Sequence, residues 1–120
     1  MQFESILRDL VSSVDGAEGA IFLEADGEAV QWYSEGDADR LRLRAAYLAV
    51  LVQACRASAA RLGLGNGVRL TIEYEGAWFL TEEVDQGYFI VLELKPSSNL
   101  GQAILRMIPA ASHLRTAITA

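Results

Sequence analysis

Residues 39–61 read DRLRLRAAYLAVLVQACRASAAR, and the interpretation of this stretch decides the rest. Leu41, Ala45, Leu48, Val52, Cys55 and Ala59 follow one another in steps of three and four, the period of an α-helix, so they line one face. Leu43, Ala46, Tyr47, Val50, Ala54 and Ala57 form a second stripe roughly opposite the first. A surface helix of a small domain needs one apolar stripe. A helix with two must be covered on two sides, and in a chain of 120 residues a second copy of the same protein is the simplest cover. The stretch also holds five arginines and one aspartate, and Arg40, Arg42 and Arg44 crowd its start, where the helix dipole disfavours cations.

The formal net charge is −6, so the chain outside this basic helix is strongly acidic. An acidic body argues against general nucleic-acid binding, which rests on neutralising phosphates. A basic helix on such a body suits a charge-complementary protein partner, or else its arginines pair with nearby acids. About half of the residues are apolar, enough for one domain spanning residues 1–120 with a core of its own. Cys55 is the single cysteine; it falls in the first stripe and reads as a buried, inert thiol. The start of the chain lacks the pattern of a signal peptide and no apolar run reaches the length of a membrane span, so a cytoplasmic protein with no membrane insertion is expected.

Working outward, Phe3, Ile6, Leu7, Leu10, Val11 and Val14 form the apolar face of a helix over residues 2–14, ended by Gly16. A strand over Ala17–Glu24 is apolar on both faces, and Asp26-Gly27 turns it into a second strand over Glu28–Ser34. Asp37 or Asp39 caps the long helix. Beyond it, Gly63-Leu64-Gly65-Asn66-Gly67 joins a helix to a following strand. A phosphate-binding loop joins them in the opposite order, so this is a connector. Val68–Tyr74 alternates like an edge strand. Ala77–Glu83 follows, then a turn at Asp85-Gln86-Gly87, then Tyr88–Leu94, apolar on both faces and therefore central. Ser98 or Asn99 caps a last helix with the stripe Leu100, Ala103, Ile104, Met107 and Ile108. Pro109 should kink or end it, leaving a weaker segment to Ala120. Tight turns make the sheet antiparallel and its doubly apolar strands need helices on both faces, an α+β domain in the order helix, two strands, helix, three strands, helix.

No residue set has the makings of a catalytic site. Ser112 and His113 are adjacent and cannot face each other, and no Cys, His, Asp and Glu group has metal-ligand spacing. Glu82, Glu83 and Asp85 form an acidic knot at a turn, by default a solvated hairpin tip. Trp32, Tyr33, Trp78 and Phe79 read as core or interface. The chain reads as an interaction module that uses no cofactor and no metal.

The sequence resembles the Roadblock (dynein light chain) family, and within it the bacterial MglB-like proteins. The features that carry the resemblance span nearly the whole chain. They are Asp15-Gly16-Ala17-Glu18-Gly19-Ala20 after the first helix, the Asp26-Gly27 hairpin, the alanine-rich long helix, Leu62-Gly63-Leu64-Gly65, Leu70-Thr71-Ile72-Glu73 and Asn99-Leu100-Gly101. The resemblance implies a profilin-like α/β/α sandwich that dimerises through the long helices and the third strand. It also implies a regulator or scaffold for a small Ras-like GTPase, as MglB is for MglA, with no catalytic group of its own. On this basis Leu43, Ala46, Tyr47, Val50, Ala54, Ala57, Val68, Leu70 and Ile72 are expected at a homodimer interface. Arg42, Ala49, Gln53 and Arg56 are expected to face the GTPase. A scaffold without effect on hydrolysis, and a small-ligand sensor with an apolar pocket near Trp32 or Trp78, are the alternatives.

Overall fold

The computed structural model describes residues 2–85 and 87–119. Helix α1 spans Gln2–Ser13, strands β1 and β2 span Ala17–Glu24 and Ala29–Ser34, and helix α2 spans Ala38–Arg61. Strands β3, β4 and β5 span Arg69–Glu73, Trp78–Asp85 and Tyr88–Leu94, and helix α3 spans Leu100–Thr119. Gln86, inside the expected turn, and Ala120 lie outside the described residues. The five strands form one antiparallel sheet in the order β2-β1-β5-β4-β3. The two strands that read as apolar on both faces, β1 and β5, are neighbours at its centre, and β3 is an edge.

Alternation along β1 divides the core in two. Ala20 and Phe22 point to the side of α1 and α3, where they meet Leu7, Leu10, Met107 and Leu114. Ile21 and Leu23 point to the side of α2 and meet Leu41, Ala45, Leu48 and Val52. Phe22 anchors the first layer, with Phe3 at 5.3 Å and Tyr88 at 5.6 Å between ring centroids. The second layer depends on Gly19. A Cβ there would lie 2.9 Å from Leu41 Cδ2 and 3.2 Å from the Tyr33 carbonyl oxygen, so the missing side chain lets the start of α2 close on β1.

Local chemistry decides the helix ends. Asp37 is the cap of α2, its carboxylate accepting from the backbone N–H groups of Asp39 and Arg40. Asn99 caps α3 through the Gln102 N–H, while the Ser98 hydroxyl donates to the Lys95 carbonyl. At the end of α2, Gly63 takes a left-handed φ of 67°. The Leu64 N–H then bonds Ala59 O at 2.8 Å and the Gly63 N–H bonds Ala60 O at 3.3 Å, a Schellman closure.

Three expectations change. Pro109 neither ends α3 nor splits it: the helix is one element of 20 residues. Pro109 lies on the exposed side, and so does Leu105, the residue whose carbonyl loses its helical donor, so water can bond that oxygen. Ile108 is exposed as well, and the buried run of α3 goes through Ala103, Met107, Ala110, Ala111 and Leu114. Cys55 is half-buried: beyond Val52 every residue of α2 is half-buried or exposed.

Candidate functional site

The second stripe of α2 turns away from the sheet. Leu43, Tyr47 and Val50 are 61%, 72% and 66% exposed, Ala54 and Ala57 are exposed, and Ala46 is half-buried. Beside this face lies the edge strand β3. Glu83 N–H bonds Val68 O and Tyr74 N–H bonds Ala77 O, and Leu70 and Ile72 are registered on Thr81 and Phe79. Val68, Leu70, Ile72 and Tyr74 therefore spend their backbone groups on β4, and Arg69, Thr71 and Glu73 direct theirs outward. The side chains of Leu70 and Ile72 are half-buried against the core layer on the α2 side of the sheet. They reach an interface at this edge through their strand, and not as its exposed side chains.

At the other edge one outward donor is already engaged. Glu35 N–H bonds Glu18 O, and Trp32 is registered on Ile21, which turns the Trp32 backbone outward. Its N–H is taken by the side-chain oxygen of Gln31 at 3.0 Å, and the indole lies under the Arg42 guanidinium at 4.3 Å. Of the two edges, β3 is the one that lies beside the exposed face of α2.

Between α2 and the β3–β4 turn runs an apolar groove of about 330 Å³, lined by Leu43, Arg44, Tyr47, Leu48, Tyr74, Gly76, Ala77 and Phe79. Tyr74 and Phe79 meet edge to face across it at 6.1 Å. At the opposite end of α2 an open recess is lined by small residues, among them Ala57, Ala60, Gly63 and Gly65, and by the polar side chains of Gln53, Arg56, Asn66 and Glu83. Leu62 and Leu64 stand out at that end, 70% and 71% exposed.

The four residues expected to face a partner do not form one outward stripe. Ala49 is buried, its Cβ closing on the Gly27 turn, so it belongs to the sheet-facing side of α2. Arg42 leans over Trp32, with Asp39 at 4.0 Å. Gln53 donates to the Ala25 carbonyl at 2.7 Å and so pins the β1–β2 hairpin. Arg56 turns under the helix to pair with Glu83 at 3.2 Å, and the same carboxylate accepts the Gly67 N–H. With Glu82 paired to Arg69 at 2.8 Å, two members of the acidic knot are neutralised inside the chain.

One pair was not foreseen. Arg44 hydrogen-bonds Glu93, a carboxylate buried on β5 beneath α2. The signal available in sequence was the single acid closing the apolar run Tyr88–Leu92. The hairpin also gathers Glu24, Asp26 and Glu28 with their carboxylate oxygens within 4.8 Å of one another. Asp26 accepts the Glu28 N–H there and so stabilises the turn. Trp78 packs into the layer of α1 and α3. No helix among the described residues is long and apolar enough to cross a membrane.

A three-layer α/β/α sandwich with an uncovered helix face and an open sheet edge defines a class of small interaction domains. The chain belongs to the Roadblock/LC7 domain family, whose sequence model matches residues 5–93. No curated protein matches the sequence. Among solved structures, it is similar to a Roadblock/LC7 domain from Streptomyces avermitilis, with a TM-score of 0.87, 18% identity and 98% of each chain covered. It is equally similar to Myxococcus xanthus MglB, with a TM-score of 0.87, 15% identity, and 99% of this chain and 96% of that one covered. The gliding protein MglB of Thermus thermophilus gives 0.81 at 19% identity, with 93% of this chain and 84% of that one covered. One further MglB structure has a tetrameric arrangement.

Proposed function

We propose that this protein is a homodimeric, non-catalytic regulator that binds a small Ras-like GTPase in the cytoplasm. The observation that carries the reading is the exposed apolar face of α2 beside an open β3 edge, on a Roadblock fold whose structural neighbours include MglB proteins. Leu43, Tyr47, Val50, Ala54 and Ala57 meet the same residues of a second copy, and β3 pairs with its counterpart. This joins two small domains into a platform wide enough to hold a GTPase. Of the arginines of α2 expected to face a partner, Arg42 is the more exposed, about half exposed at the rim of the helix.

The test is GTP hydrolysis and direct binding by the small GTPases encoded beside this gene, with and without the protein. Binding is expected. An Arg42→Glu variant should slow association and alter its salt dependence, as a rim charge does. If none of those GTPases binds, the reading is wrong. A scaffold that leaves hydrolysis unchanged is favoured by one observation: Arg44 and Arg56, which a docking face could have used, are held by Glu93 and Glu83. Hydrolysis rates separate the two readings. A ligand pocket built on either tryptophan is disfavoured: Trp32 is covered by Arg42, and Trp78 packs half-buried against the layer of α1 and α3, away from the groove that Ala77 and Phe79 line on the other face.

A further inference from the structure

The uncovered face is graded along its length. On α2 the outward residues are large in the first half, Leu43 and Tyr47, and small in the second, Ala54 and Ala57, with Val50 at the centre. Two such helices packed antiparallel about Val50 set each Tyr47 against an Ala54 and each Leu43 against an Ala57. Packed parallel, they would oppose Tyr47 to Tyr47 and alanine to alanine, which leaves voids.

The edge strand carries a matching rule in charge. Its outward residues are Arg69, Thr71 and Glu73. Antiparallel pairing about Thr71 places each Arg69 opposite a Glu73 of the second copy, twice over, both within the strand, whereas a shift by two residues either loses both pairs or moves them to Glu75 in the turn beyond it. The two centres lie level in the fold. Tyr47 and Tyr74 line one groove, and Ala57 and Val68 line the recess at the other end, so Val50 and Thr71 both fall between. One two-fold axis serves helix and strand together.

That axis exchanges the two ends of the interface, and on it rests the inference, which presupposes the dimer proposed above. We propose that Leu62 and Leu64 of each copy hook into the apolar groove of the other, between Tyr47, Tyr74 and Phe79. The leucines stand at the Ala57–Val68 end, which the rotation carries to the Tyr47–Tyr74 end of the second copy. Leu64 is held there by the helix-ending turn, its N–H bonded to Ala59 O at 2.8 Å. The groove walls are apolar, and the hook residues are among the most exposed large apolar residues described. Each groove is left incomplete by its own chain and filled by the other.

The experiment uses the full chain with Cys55→Ser, which removes its only thiol. Leu64→Cys together with Tyr74→Cys should give an interchain disulfide on mild oxidation, and either change alone should not. Leu64→Asp, at an exposed position that does not disturb folding, should weaken the dimer roughly tenfold or more, as expected for exposing a buried leucine. Far-UV circular dichroism checks that the variant is folded. A wild-type dimer with no disulfide in the double variant and no weakening by Leu64→Asp overturns the hook and leaves the dimer intact. A wild-type protein that is monomeric at micromolar concentration overturns both.

Discussion

Arg44 and Glu93 make one ion pair with unequal partners. The Glu93 side chain is 5% exposed and that of Arg44 is 39% exposed. Removing the arginine strands a carboxylate in a low-dielectric layer between helix and sheet, whereas removing the carboxylate leaves a guanidinium that reaches water. Arg44→Ala should therefore cost about 3 kcal/mol of stability, and Glu93→Gln clearly less, about 1 kcal/mol. Urea denaturation of the two variants checks the order, and equal losses would refute this account of the pair. The facing of Ala49 is settled at the same scale. In sequence it sits between two arginine-bearing segments, and only the approach of the Gly27 turn, with its α-carbon side open, tells which way the alanine faces. Asp37 over Asp39, and Asn99 over Ser98, are likewise choices between residues of nearly equal capping power. The direction in which the chain enters each helix settles them.

Helix α3 is the element in which local preference and tertiary packing compete. Pro109 removes one hydrogen bond and its ring crowds the preceding turn, a cost of about 3 kcal/mol in an isolated helix. The helix continues because Ala103 and Met107 before the proline, and Ala110, Ala111 and Leu114 after it, bury against one surface. Pro109→Ala should restore the bond to Leu105 and raise the midpoint of thermal unfolding, the gain being smaller than the isolated-helix cost because the native helix has already adjusted. A lowered midpoint would mean that the proline ring contributes packing at the edge of α1. For α2 the sequence reading of two stripes agrees with the structure, since helical periodicity is a property of the chain alone. The strand ends moved by one or two residues: β3 is Arg69–Glu73 and β4 reaches Asp85. Pairing partners define those ends, and a strand does not carry its partner's register in its own residues.

For the whole molecule, the asymmetry between the two sheet edges matters most. On the β2 edge Gln31 takes the Trp32 N–H and Arg42 covers the indole, and the β3 edge lies beside the apolar face of α2. An exposed apolar stripe and an open edge together are a hazard for a monomer, and a single two-fold contact removes both. Val50→Asp would put a charge at the centre of the proposed contact, so it should convert the proposed dimer to a folded monomer with unchanged far-UV circular dichroism. Light scattering coupled to size exclusion reads the outcome, and a Val50→Asp protein that stays dimeric would move the interface off α2.

Read alone, the linear chain specified the three helices, the five strands, their order and which strands are central, because hydrophobic period and turn chemistry are local properties. It also marked α2 as a helix with more apolar surface than one sheet can cover. Packing in three dimensions settled the neighbours: that Arg44 finds Glu93, that Arg56 and Gln53 are drawn inward, that Ala49 is covered and that α3 runs through its proline. Each of these depends on residues distant in sequence being brought within a few ångströms, where desolvation and packing outweigh the preferences that a linear reading can see.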